Sequence, residues 1–210
     1  MQQILPDLWE TEVERPAPGL NTHAYLLTRP QGNILFYNTS KDSAWPVIQE
    51  LGGISLQLLS HQDEVGQPLQ LIRERFGAKL GIHELERDAA AKFCEPDLLF
   101  SESGPLIEGV DIIHTPGHTP GSTCFQVTGQ DGLVYLFTGD TLYRAEGGDW
   151  RAGMIDGYSN RPQLQSSLHK LRTLAPDVVI SSAFSGDASH QHLKDNEWQQ
   201  LLDDALAELG

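Results

Sequence analysis

The chain has 210 residues, 39% of them hydrophobic and 20% charged, which describes one soluble globular domain over residues 1–210 with a sizeable core. A formal net charge of −15 excludes a nucleic-acid surface and repels anionic membranes. Two cysteines, Cys94 and Cys124, are too few for a disulfide framework and read as buried, reduced thiols. Met1–Asp7 shows no basic region followed by an apolar stretch, and no apolar run reaches about 18 residues, so a cytoplasmic protein is expected.

In chain order, a short strand is predicted around Leu8-Trp9, followed by a Pro/Gly-rich link at Pro16-Ala17-Pro18-Gly19. Ala24–Thr28 and Asn33–Tyr37 flank Arg29-Pro30-Gln31-Gly32 and read as a hairpin. Ala44, Val47, Ile48 and Leu51 share a helical face, with Pro46 in the first turn and Gly52-Gly53 as the stop. Ser55–Leu59 is a strand running into Ser60-His61-Gln62-Asp63-Glu64-Val65-Gly66. Pro68–Phe76 reads as a helix with Leu69, Ile72 and Phe76 inward, Lys79–Ile82 as a strand ending at His83, and Glu84–Phe93 as a helix. Leu98–Phe100 and Asp111–Ile113 add strands.

His114-Thr115-Pro116-Gly117-His118-Thr119-Pro120-Gly121-Ser122 comes next, two histidines four apart in a pair of Pro-Gly turns. Proline fixes φ and glycine supplies unusual angles, so such a loop is rigid without regular structure. Imidazoles on a rigid loop at a strand end suit metal binding or acid–base chemistry; the plain reading is a double turn with two surface histidines. Thr123–Val127 leaves the loop as a strand, Gln130-Asp131-Gly132 turns the chain, and Leu133–Phe137 runs into Thr138-Gly139-Asp140-Thr141, presenting a carboxylate at a strand end. Residues 144–160 form a long Gly-rich loop holding Trp150, Arg151 and Tyr158, either functional or a poorly packed excursion. Leu164, Leu168, Leu171 and Leu174 mark an amphipathic helix starting near Asn160 or Arg161-Pro162. Val178–Ile180 is a buried strand leading to Ser181–Gly186, and Asp195 is the expected cap of a last helix burying Trp198, Leu201, Leu202, Ala205, Leu206 and Leu209. Strands interspersed with helices, many in hairpin order, indicate an α+β protein of two sheets with helices outside.

The His114–Ser122 loop followed by Phe137-Thr138-Gly139-Asp140 resembles the metallo-β-lactamase superfamily, which includes lactamases, thioesterases, lactonases and phosphodiesterases. The resemblance implies a four-layer αββα sandwich, a metal-ligand role for His118 and a bridging role for Asp140. The family's first metal loop reads His-x-His-x-Asp-His; here it is Leu58-Leu59-Ser60-His61-Gln62-Asp63-Glu64-Val65-Gly66. Anchoring on Leu-Ser-His makes His61 the first histidine, with two residues deleted. Anchoring on Asp-x-x-Gly makes it the second, with Leu59 in place of the first. Both alignments put Asp63 on the family's Asp and Glu64 on its last His. The Asp that usually ends the second hairpin strand is replaced by the turn Asn38-Thr39-Ser40, and the final His turn by Ser182-Ala183-Phe184-Ser185. His190 and His192 follow closely, as exposed surface or as substitutes. His83 and His114 read as supports of the rim and loop, and His23 and His169 carry no signal.

The ligand set so implied is His61, Asp63, His118 and Asp140, with Asp63 and Glu64 as acid–base groups. Two imidazoles with carboxylates suit one divalent ion: zinc in a four-coordinate site, iron or manganese in a more oxygen-rich one. A metal-free protein whose polar residues pair with one another is the alternative. Asp63, Glu64 and Asp140 together repel unless a cation or proton sits among them. Two hypotheses follow: an atypical metal-dependent hydrolase of a small ester or thioester, or an inactive member of the fold serving as a binding or scaffold module. A small-molecule partner is expected, without nucleic acid or membrane.

Overall fold

In the computed structural model, which describes residues 1–210, the short apolar runs assemble into two large sheets and a smaller third. The first sheet orders its strands Gln2–Leu5, Leu8–Glu10, Tyr25–Leu27, Ile34–Phe36, Leu56–Leu58, Lys79–His83 and Leu98–Phe100. Its first half is antiparallel and joined by hairpins; from Ile34–Phe36 onward neighbouring strands are parallel. Parallel neighbours need crossovers, and helices Trp45–Glu50, Pro68–Phe76 and Arg87–Ala90 lie in them. The second sheet runs Gly104–Ile107, Val110–His114, Thr123–Thr128, Val134–Gly139, Val178–Ser181 and His190–His192. It is antiparallel except where Val134–Gly139 meets Val178–Ser181, a pair bridged by helix Arg161–Leu171.

Side-chain alternation decides the layering. Phe125, Val127, Tyr135, Phe137, Val178 and Ile180 join Tyr25 and Phe36 of the first sheet in one core. Their strand neighbours Cys124, Leu136 and Val179 instead meet Leu164, Leu168, Trp198 and Leu202 of the two C-terminal helices. A period of two thus gives one strand two buried faces. On the far side Leu59, Leu80 and Ile82 pack under Leu69, Ala90 and Cys94. The result is helices, sheet, sheet, helices: an α+β protein with the αββα layering. Phe137 is fully buried at its centre, stacked on Phe36 at 3.9 Å between ring centroids. Phe137→Ala is expected to cost about 3–5 kcal/mol of stability, read as a shift of the urea midpoint, because the cavity has sheet on both sides and collapses poorly.

Three expectations are corrected. The third sheet (Trp150–Ala152, Leu142–Arg144, Ala183–Phe184, Leu20–Thr22, Glu14–Ala17) draws on the Pro/Gly-rich link and on part of the 144–160 loop. The helix over 84–93 shortens to a 3-10 turn, Glu84–Glu86, and one α-turn, Arg87–Ala90. There the Glu86 side chain is pulled inward by Thr119 and Gly121 instead of facing water. The last helix, Glu197–Leu209, is preceded by Asn196 in the left-handed region (φ 66°) rather than capped by Asp195, and Glu197 accepts from Lys194 N at 2.9 Å. Asn160 does cap Arg161–Leu171, its side chain accepting from Gln163 N. Both cysteines are free and buried, and no helix is long and apolar enough to cross a membrane.

Candidate metal centre

Strand Leu56–Leu58 delivers His61, the following 3-10 turn Gln62–Glu64 delivers Asp63, and strand Val134–Gly139 delivers Asp140. The loop between Val110–His114 and Thr123–Thr128 delivers His118. One ligand atom from each of His61, Asp63 and His118 lies within 4.8 Å of the other two. Asp140 Oδ2 stands 3.5 Å from His61 Nε2 and 3.8 Å from His118 Nε2, and Asp63 Oδ2 stands 3.3 Å from His118 Nε2. Donors about 2.1 Å from a common tetrahedral ion are about 3.4 Å apart, so these separations suit a shared cation.

The hydrogen bonds behind the two rings decide which nitrogen faces the site. His118 donates from Nδ1 to Gly153 O at 2.7 Å, which leaves Nε2 as the lone-pair atom, and Nε2 is buried without a partner. His61 Nδ1 meets Ser60 Oγ at 2.9 Å and Glu64 Oε1 at 3.3 Å, while Ser60 Oγ donates to Glu64 Oε1 at 2.5 Å. That carboxylate accepts at the end of the chain, so Nδ1 carries the proton and Nε2 faces Asp140. Orienting one ring nitrogen through a carbonyl or carboxylate on the other is how metal-binding histidines are held. An orphaned imidazole nitrogen, a second of matching tautomer and two carboxylates thus converge, a donor set that fits a divalent ion.

Electrostatics agree. Burial pulls the His61 pKa down, but Asp140 and Glu64 outweigh it and raise it well above the usual histidine value. Burial raises the Asp140 carboxyl, and the neighbouring His61 and His118 reverse this to a lowered value. Burial opposes ionisation of Asp63, but the neighbouring His118 and the hydroxyl of Tyr158 hold its pKa down to about 2. A proton on His61 thus does in the metal-free protein what a cation does better.

Close packing ties the turn that carries His61 to the strands beside it. Gly139 has φ 54°, and a Cβ there would lie 2.1 Å from Ser60 Oγ. Thr123 N donates to Ser60 O at 2.9 Å. Gly139→Ala is expected to destabilise the fold by about 3 kcal/mol, from left-handed strain plus overpacking against Ser60, measured by chemical denaturation. Gly153 admits the chain beside Asp140, since a Cβ would fall 1.8 Å from Asp140 O.

Of the other residues singled out by sequence, Glu64 faces the cleft but has both oxygens bonded by Ser60, through N at 2.9 Å and through Oγ. Asn38 donates to Glu64 O at 2.9 Å and holds the same turn. His114 donates to Pro120 O at 3.0 Å and stacks on His83 at 4.2 Å, so both brace the loop. His190 faces Glu10 at 3.7 Å and does not line the cleft, which leaves the absent final histidine unreplaced. Sequence reasoning missed Glu86, which grips the histidine loop through Thr119 Oγ1 (2.7 Å) and Gly121 N (2.6 Å). It also missed the role of Tyr158, whose hydroxyl donates to Asp63 Oδ1 at 2.6 Å. An isolated Glu in a helix-like stretch carries no signal of burial. A tyrosine in a long loop carries only a weak one.

Comparison with known proteins gives the family and the fold. The profile of the Metallo-beta-lactamase superfamily matches residues 69–183. A hydroxyacylglutathione hydrolase of Aeromonas salmonicida is 30% identical over 148 residues, covering 67% of this chain and 53% of that protein, so this chain spans about half of that relative's length. One of the same description from Pelagibacter ubique is 28% identical over 185 residues, covering 84% and 69%. Among solved structures, a metallo-beta-lactamase from Hirschia baltica superposes with a TM-score of 0.74 at 14% identity, over 99% of this chain and 95% of that one. That likeness establishes the fold.

Proposed function

Since the chain belongs to the metallo-beta-lactamase superfamily, we propose that it is a metal-dependent hydrolase of small ester or thioester substrates, working with a single divalent ion. His61, Asp63, His118 and Asp140 would hold that ion, zinc first for a two-nitrogen, two-carboxylate set, iron or manganese next. The observation that carries the reading is the bare, buried Nε2 of His118 facing two carboxylates, beside a His61 whose tautomer is already fixed. When bound, such an ion supplies Lewis acidity: it lowers the pKa of water and polarises a carbonyl oxygen. The relatives named as hydroxyacylglutathione hydrolases support the substrate class, since an acyl group carried on the glutathione sulfur is a thioester.

The chain's own residues divide the remaining work. Asp63 is the most open of the centre's three acids, its side chain 41% exposed against 22% for Asp140 and 6% for Glu64, so the acid–base role at the cleft falls to it. Tyr158 fixes its rotamer through Oδ1. Glu64, expected from sequence to share the acid–base role, is better suited to position His61 through Ser60. A second ion finds too few donors, because Leu59 or a deletion stands for one histidine, Glu64 is engaged, and the Ser182–Ser185 turn has no imidazole. A cytoplasmic location belongs to the same proposal and is supported by the two free thiols. The test is elemental analysis of protein purified without added metal or chelator. At most one tightly bound transition metal per chain is expected; two equivalents surviving dialysis would overturn the one-ion reading.

A further inference from the structure

We infer that the cleft over the metal centre selects cationic and neutral substrates and rejects anionic ones. This rests on the hydrolase reading above and adds the charge class of the substrate. The cleft has a volume of about 410 Å³ and 16 lining residues, among them four carboxylates, Glu14, Asp63, Glu64 and Asp140, and no lysine or arginine. A divalent ion offsets two of those charges, and 4 − 2 leaves two negative charges uncompensated. Hydrogen bonds from Ser60 N and Oγ orient the Glu64 side chain.

Glu14 is the group outside the metal centre that sets the sign. Its carboxylate is anchored at the cleft wall by Thr39 Oγ1 at 2.6 Å, by Ser40 N at 2.9 Å and by Ser40 Oγ. The cations nearest in sequence are Arg15 and Lys41, and neither lines the cleft. Arg15 follows Glu14 on strand Glu14–Ala17 and is exposed, whereas Glu14 and Pro16 line the cleft. A cleft lined by charges of one sign focuses its field on whatever enters. An anionic leaving group therefore meets no counter-charge from the protein, whereas a quaternary ammonium meets fixed carboxylates.

The test uses metal-loaded protein and three thioesters of one acyl group, with thiocholine, mercaptoethanol or mercaptopropionate as the leaving thiol. kcat/KM should fall in that order, by about tenfold or more from cation to anion at low ionic strength, and the spread should narrow in about 0.5 M salt as exposed charges are screened. Glu14→Gln should compress the ratio while metal content stays unchanged. An anionic thioester hydrolysed as fast as the cationic one overturns the inference and leaves the hydrolase reading standing. If none is hydrolysed, the hydrolase reading fails instead. Charge selection is then decided by calorimetric binding of the matching amides: tighter binding of the cationic amide supports it, and equal, reversed or absent binding overturns it.

Discussion

His118→Ala is expected to strip the protein of its metal, while His114→Ala leaves most of it bound. The two residues sit four apart on one loop, so their different outcomes separate ligation from loop support. His118 presents a lone pair into the site from a ring fixed by Gly153 O, and its removal leaves Asp63 and Asp140 facing each other with one imidazole fewer. Loss of even an outer hydrogen bond to a metal ligand costs about 10–100-fold in affinity, and loss of the ligand itself should exceed that. His114 contributes a bond to Pro120 O and a stacked face against His83, worth about 1 kcal/mol of loop stability. Elemental analysis after dialysis reads both variants. Equal metal content in the two would refute the assignment of His118.

The positions of the four candidate ligands were legible because each follows an apolar run that ends in turn residues. His61 and Asp63 follow Ser55–Leu59, His118 sits between two Pro-Gly turns, and Asp140 follows Leu133–Phe137. The layering was legible for a related reason: strands such as Thr123–Thr128 and Val134–Gly139 bury alternate residues on opposite sides, and the helices that cover them show long Leu spacings. What sequence could not show depends on partners far along the chain. The third sheet is built from segments of two to four residues, too short for any periodicity, drawn from both ends of the molecule. Glu86 looks like a solvated acid until the histidine loop closes on it, 33 residues later. Tyr158 acquires meaning only from Asp63, 95 residues earlier. Glu64 shows the same limit within one turn. Its identity suggests acid–base work, whereas Ser60 engages both of its oxygens, one through the backbone N and the other through the hydroxyl.

Asp140→Asn, or a chelator added to the native protein, is expected to abolish hydrolysis of a generic ester or thioester that the metal-loaded protein turns over weakly. Asparagine keeps the shape and can still accept from Ala183 N, as Asp140 Oδ1 does at 3.2 Å. It loses the charge that stands beside the Nε2 atoms of His61 and His118, and its amide nitrogen would donate to those lone pairs and so occupy them in place of the ion. The loss should reach at least about 100-fold in kcat/KM, or about 2.7 kcal/mol of transition-state stabilisation. The starting activity is expected to be low, because a one-ion site lacks the second ion that would clamp the leaving group. An inactive scaffold predicts otherwise: no chelator-sensitive turnover across a broad ester and thioester panel, and an unfolding midpoint that metal removal leaves unchanged, since no ion stabilises the native state by binding it. Those two results together would decide against catalysis, and the acidic cleft would then be a docking site whose occupant has to be sought by binding rather than by turnover.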